Sequence, residues 1–138
     1  MEENKAVVRS FIEALNKQDL SSLDDLVAID YFDHTNQVRG LETVKQAITI
    51  FYRGFPDFHV TIEEIITEGD RVWIRETETG AHKGEYRNIA PTGKKVTFSG
   101  VDVFRIVDGK IAEAWHVYDF LDFYKQLGFI KYKGFPDK

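Results

Sequence analysis

Residues 96–119 read VTFSGVDVFRIVDGKIAEAWHVYD. The pair Asp108-Gly109 separates two runs of β-forming residues, the strongest short-range signal for a hairpin. A two-residue turn pairs Val107 with Lys110. Counting outward sets Phe104 opposite Glu113, Asp102 opposite Trp115, Gly100 opposite Val117 and Phe98 opposite Asp119. Strand alternation then places those eight side chains on one face. Val101, Val103 and Arg105 share the other face with Ala112, Ala114, His116 and Tyr118. A slip of one residue exchanges the faces of a strand, so every later assignment depends on this register.

Three carboxylates on a largely apolar face, those of Asp102, Glu113 and Asp119, cost free energy unless they are hydrogen-bonded or neutral. Burial raises a carboxyl pKa toward neutrality, which suits a general acid/base. Such a group can take a proton from carbon beside a carbonyl and later protonate an alkoxide. His34, Arg75, His82 and the Trp115 indole N–H are candidate donors to the enolate.

Each candidate also has a structural role open to it. Asp119 is a preferred N-cap for a helix over 120–127. Glu113 and Arg105 read as a charge pair near the turn, and Asp102 as a partner for the Trp115 indole. Arg75 can pair with Glu64 across a hairpin. Phe98 and Trp115 are core aromatics compatible with a pocket wall. His34 is a pocket-rim or loop residue, whereas His59 and His116 read as surface or interface residues.

Working toward the N-terminus, Arg71 to about Ala81 reads as a strand, and Gly69-Asp70 turns it back on Phe58, Val60 and Ile62, with a bulge at Glu63-Glu64. HKGEYRNIAPTGKK (82–95) is a loop. Val7, Val8, Phe11, Ile12 and Leu15 mark a first helix, with Asn4 as its N-cap and Asn16–Asp19 as its exit. Leu20, Leu23, Leu26 and Val27 suggest a short second helix. A third runs from about Leu41 to Gly54, with Val44, Ala47, Ile48 and Phe51 inward, after a polar connection YFDHTNQVRG. The last short helix ends at Gly128. The tail 129–138 is aromatic and basic and is expected to dock on the body. Helices followed by a meandering antiparallel sheet make an α+β fold of one domain, 1–138, and a bulged, curled sheet closed by helices encloses a pocket. Covering the convex face with a second subunit would make a homodimer or higher homo-oligomer through the sheet.

Composition narrows the function classes. The 138-residue chain is 43% hydrophobic and 30% charged, and its 11 Phe make it rich in rings that line cavities as well as cores. A net charge of −5 argues against nucleic acid or an anionic membrane as partner. With no cysteine, thiol nucleophiles, disulfides and thiolate metal sites are excluded. The four histidines are dispersed, without HxH or HExxH spacing, so no metal is expected. No phosphate loop, nucleotide fingerprint or serine elbow occurs. MEENKAVVRS has no apolar run of signal-peptide length, which makes a cytoplasmic location the default expectation.

Several segments together resemble the SnoaL-like polyketide cyclase (ester cyclase) family of the nuclear-transport-factor-2-like superfamily. They are Asp33-His34, PDF (56–58), EGDRV (68–72), GAHKGEY (80–86), APTGKKV (90–96), Phe104-Arg105, DGKIAEAWHVYD (108–119) and QLG (126–128). The resemblance covers nearly the whole chain. It implies a cone-shaped α+β barrel, usually oligomeric, and a cofactor-free intramolecular aldol closure of a polyketide ester. It places the catalytic aspartate at Asp119, the end of the E-x-W-x-x-x-D segment, and keeps His82 in place although Ala81 stands where the family usually has threonine. The expected substrate is a small hydrophobic carbonyl compound, bound by His34, Arg75, His82, Phe98, Asp102 and Trp115. The alternative is a non-catalytic protein that binds a hydrophobic molecule in the same cavity.

Overall fold

A computed structural model describes residues 1–131, so the expected docking of the 129–138 tail lies, but for its first three residues, outside the described residues. Three helices, α1 (Glu2–Asn16), α2 (Leu41–Gly54) and α3 (Phe120–Leu127), pack on a six-stranded sheet. Its strands are β1 (Val27–Asp33), β2 (Val38–Arg39), β3 (His59–Glu68), β4 (Arg71–Ala81), β5 (Lys95–Val107) and β6 (Lys110–Tyr118). Their order is β2-β1-β6-β5-β4-β3, a curved sheet that does not close on itself.

The α+β architecture and the β3–β4 and β5–β6 hairpins follow the sequence reading, including the bulge between Ile62 and Glu64. Asp108 and Gly109 have φ of 51° and 76°, the paired left-handed conformations that a tight hairpin turn requires. Two elements differ. Leu20 to Val27 is not a helix: a single 3₁₀ turn, Ser21–Asp25, hands the chain directly to β1. The segment read as a polar connection, 31–40, contains the end of β1 and all of β2, because Val27, Ile29, Tyr31 and Phe32 supply β-branched and aromatic side chains to an extended run. β1 pairs in parallel with β6, so the sheet is mixed rather than antiparallel. Helix α1 also begins at Glu2, with Met1 rather than Asn4 at the N-cap.

The largest correction is to the hairpin register. Val107 pairs with Lys110 and Ile106 with Ile111, but Arg105 then pairs with Glu113, leaving Ala112 as a bulge. Beyond it Asp102 faces His116 rather than Trp115, and Gly100 faces Tyr118. The parity change serves burial: Ile111 and Ala114 both face the core although they are three residues apart. Glu113, Trp115 and Val117 are thereby turned to the outer face, and His116 and Tyr118 to the inner one.

The inner face and the helices bury one core. Val8, Phe11 and Ile12 of α1, Ile48 and Tyr52 of α2, and Phe123 and Leu127 of α3 close on Val72, Ile74, Phe98, Phe104 and Ile106. No helix among the described residues is long and apolar enough to cross a membrane.

Candidate active site

Between α1, α2, the start of α3 and the inner face lies a cavity of about 880 Å³, a size that accommodates a small organic molecule. Its wall is mostly aliphatic and aromatic. Into it the inner parity of three adjacent strands sends a polar cluster: Glu76 and Glu78 from β4, Asp102 from β5, His116 and Tyr118 from β6. Tyr31 and Asp33 of β1 complete the cluster beside His116.

Asp102 is its centre. One carboxylate oxygen, Oδ1, accepts from His116 Nδ1 at 2.6 Å and from the Tyr118 hydroxyl at 2.7 Å. With Nδ1–H committed to Asp102, neutral His116 carries its lone pair on Nε2, which lies 3.4 Å from the Tyr31 hydroxyl and 3.5 Å from Asp33 Oδ2. Asp33 is held by the backbone N–H groups of Thr35 and Asn36 and by the Asn36 amide. Gly100 makes the arrangement possible. It stands across from Tyr118, and any Cβ there would meet the Tyr118 ring, so the missing side chain is the notch through which the phenol reaches Asp102.

Burial and hydrogen bonding pull against each other in this group. For Asp102 it disfavours the anion, but hydrogen bonds from Glu76, His116 and Tyr118 outweigh it and hold the carboxyl below its ordinary value. For His116 burial disfavours the imidazolium, and the bond to Asp102 with the charges of Asp102 and Asp33 reverses this, raising its pKa. Glu76, 1% exposed, is pushed far up by burial first and then by the neighbouring carboxyl of Asp102. Glu78 is pushed up by burial first and then by the charge of Asp102. Two carboxyls that burial favours in the neutral form thus stand beside an aspartate that its hydrogen bonds favour as the anion.

The residues expected from the sequence divide sharply. Asp102 is in the cavity, although its partners are His116 and Tyr118 and not the Trp115 indole. Asp119 is exposed and is absent from the cavity lining; its Oδ1 accepts from Asp122 N at 3.0 Å as the N-cap of α3. That corrects the expectation of a carboxylate facing the pocket: β6 ends at Tyr118, and the chain has already turned into the helix. His34 and Trp115 lie on the outer face, their rings stacked at 4.4 Å, with Arg71 4.8 Å over the indole and Glu113 bridging His34 and Arg105. Arg75 pairs with Glu64 on the exposed side of the β3–β4 hairpin. His82 is fully buried away from the cavity, against Phe55 and hydrogen-bonded to Thr92. Phe98 is core, packed on Phe120 and Phe123. None of these five, His34, Arg75, His82, Phe98 and Trp115, lines the cavity.

His116, expected at the surface or at an interface, is a member of the cluster instead, as are Tyr118, Glu76, Glu78, Tyr31 and Asp33. Glu76 and Glu78 carried a readable signal, since they continue the inward parity of Val72 and Ile74. Among the described residues no group of three or more His, Asp or Glu is placed to hold a metal ion.

The sequence profile described as SnoaL-like polyketide cyclase matches residues 5–127. An aklanonic acid methyl ester cyclase from Streptomyces peucetius is 29% identical over 129 residues, covering 88% of each chain. The structure superposes on AclR from Streptomyces galilaeus, a candidate hydroxylase, with a TM-score of 0.86 at 30% identity, covering 95% of this chain and 88% of that one. It also superposes on IdmH, a candidate polyketide cyclase from Streptomyces antibioticus, with a TM-score of 0.80 at 27% identity over 91% and 98% of the two chains.

Proposed function

The chain belongs to the SnoaL-like polyketide cyclase family, and from that premise we propose that it is a cofactor-independent acid/base enzyme that closes a ring in a small hydrophobic carbonyl compound. The observation that carries this reading is the buried Asp102–His116 pair, 2.6 Å apart, in the wall of an apolar cavity.

The roles follow from the geometry. Asp102 fixes the imidazole with Nδ1–H inward and leaves Nε2 as the base. A buried aspartate also stabilises the imidazolium that forms when Nε2 takes a proton, the division of labour of a catalytic triad without its serine. The proton comes from carbon beside a carbonyl. The resulting enolate carbon attacks a second carbonyl of the same molecule, one carbon–carbon bond forms, and the second oxygen becomes an alkoxide that is then protonated. Substrate and product are isomers, so the reaction needs no oxidant, reductant or group donor. The largely apolar walls favour an apolar substrate, which on binding displaces water that would otherwise quench the enolate. Asp119 serves in this account as a helix cap.

The relatives named as aklanonic acid methyl ester cyclases make an aromatic polyketide methyl ester the first compound to try. The test is turnover of aklanonic acid methyl ester by the wild type and by His116→Gln, with product identified as an isomer of the substrate by mass and ultraviolet spectrum. The wild type should convert it, and the variant should lose about 10²-fold or more in kcat, the usual contribution of a positioned general base. Equal rates in the two proteins would remove His116 from the chemistry. Saturable binding with no turnover by the wild type would leave a binding protein of the same fold.

A further inference from the structure

Glu78 has no task in the mechanism above, yet it is the most exacting group in the cavity to explain. It is 6% exposed, it lines the cavity, and its Oε2 has no hydrogen-bond partner among the described residues. A buried polar atom without a partner costs about 1–3 kcal/mol. The neighbouring Glu76 also has an unpartnered oxygen, Oε1, but it stands beside Asp102, which after burial raises its pKa further. Both glutamates sit on β4, two residues apart on one face, with Gly100 and Phe98 of β5 as their cross-strand neighbours.

We infer that Glu78 is the proton donor of this site, a neutral carboxylic acid that hydrogen-bonds the substrate oxygen and protonates the alkoxide as the ring closes. The inference rests on the acid/base reading above and divides its labour, with His116 as base and Glu78 as acid. The balance is simple. His116 Nε2 gains the carbon-bound proton, Glu78 loses its carboxyl proton to oxygen, and the new O–H replaces the lost C–H. The imidazolium and the ionised Glu78 are reset through water when product leaves, so turnover is proton-neutral.

The surroundings favour a neutral Glu78. Asp102 and Asp33 are the anions facing the cavity, and Glu76 is held protonated beside them. The phenols Tyr31 and Tyr118 are pushed to higher pKa by burial and by those carboxylates, so they stay neutral too. Among the described residues the basic side chains facing the cavity are His116, hydrogen-bonded to Asp102, and Arg87 of the 82–94 loop, whose Nε donates to the Tyr86 hydroxyl. Neither pairs with Glu78. A second acid at a different pKa from the base is the usual arrangement where one site must both remove and deliver a proton.

Two measurements on the full chain decide it. The first needs no substrate: the infrared difference spectrum of wild type minus Glu78→Gln should show a protonated carboxyl at neutral pH that ionises as the pH is raised through about 8. A spectrum with only an ionised carboxylate would overturn the inference, whatever the substrate proves to be. The second is the pH profile of kcat on aklanonic acid methyl ester. Glu78→Gln should lose about 10²-fold in kcat together with the alkaline limb, with KM little changed, because the amide still donates a hydrogen bond but holds no transferable proton. Glu78→Asp, which keeps the acid, should recover part of the rate. A Glu78→Gln profile that matches the wild type would reject the donor role, while a loss of activity in His116→Gln alone would leave the acid/base reading standing.

Discussion

Gly100→Ala is a one-carbon change whose cost the fold makes unusually large. Gly100 has no left-handed backbone, so its glycine is not there for conformational freedom. In such a strand position alanine ordinarily stabilises by about 0.4–1 kcal/mol. Here the new Cβ would stand 2.8 Å from Tyr118 Cε1 and closer still to Cδ1, with the Val117 carbonyl at 3.3 Å. The ring has to swing aside. Its hydroxyl then leaves Asp102 Oδ1, now 2.7 Å away, and a hydrogen bond to a charged group is worth about 1.5–3 kcal/mol. Adding about 1–3 kcal/mol for overpacking gives a net loss of about 2–5 kcal/mol. Urea denaturation of wild type, Gly100→Ala, Tyr118→Ala and the double variant measures it. In the Tyr118→Ala background the ring is gone, and Gly100→Ala should become neutral or mildly stabilising, a strong coupling between the two positions. A cost under about 0.5 kcal/mol in the wild type, or the same cost in both backgrounds, would refute the notch.

Other consequences are as direct. Asp119→Ala removes the α3 cap and should cost about 1 kcal/mol in denaturation, whereas Asp119→Asn, an equally good cap, should leave stability within about 0.5 kcal/mol. Glu76 and Glu78 have raised pKa values, so the folded protein keeps protons that the unfolded chain loses above 4.5. Their contribution is therefore fully present at low pH and is lost as pH rises. From Glu78 alone, stability should fall by up to about 1.4 kcal/mol per pH unit between about 5 and 8, and Glu78→Gln should flatten that slope in denaturation curves taken across the range. Trp115→Phe alters only the outer-face stack on His34 and Arg71, so kcat and KM should stay within about twofold of wild type; a loss of about tenfold or more would place Trp115 in the chemistry after all.

Much of the fold was legible because its signals are local. The Asp108-Gly109 turn, the bulge at Glu63, the span of α2 and the last helix with Gly128 at its end follow from turn chemistry and periodicity. β1 was not legible in the same way. Its partner β6 lies about eighty residues away, and Leu20, Leu23 and Leu26 imitate a helical stripe that in fact spends one 3₁₀ turn. The site was half legible. Asp102 stood out as a carboxylate among apolar neighbours, but the identity of its partner depended on one bulged alanine, Ala112. With a regular ladder Trp115 faces Asp102; with the bulge His116 does, and Trp115, Glu113 and His34 move together to the outside. Asp119 drew attention because the family resemblance and the capping preference converge on it, and the geometry favours the cap. Glu76 and Glu78 needed only the parity of β4 to be followed past Ile74.

The proposed acid/base chemistry rests on the cavity cluster around Asp102 and not on the cap at the end of β6. The most direct measurement is kcat on aklanonic acid methyl ester for Asp102→Asn and Asp119→Asn side by side, with folding of both checked by denaturation. Asp102→Asn should lose about 10²-fold or more while Asp119→Asn stays within about twofold of wild type. A full rate from Asp102→Asn with a dead Asp119→Asn would contradict the account and move the chemistry to the helix cap.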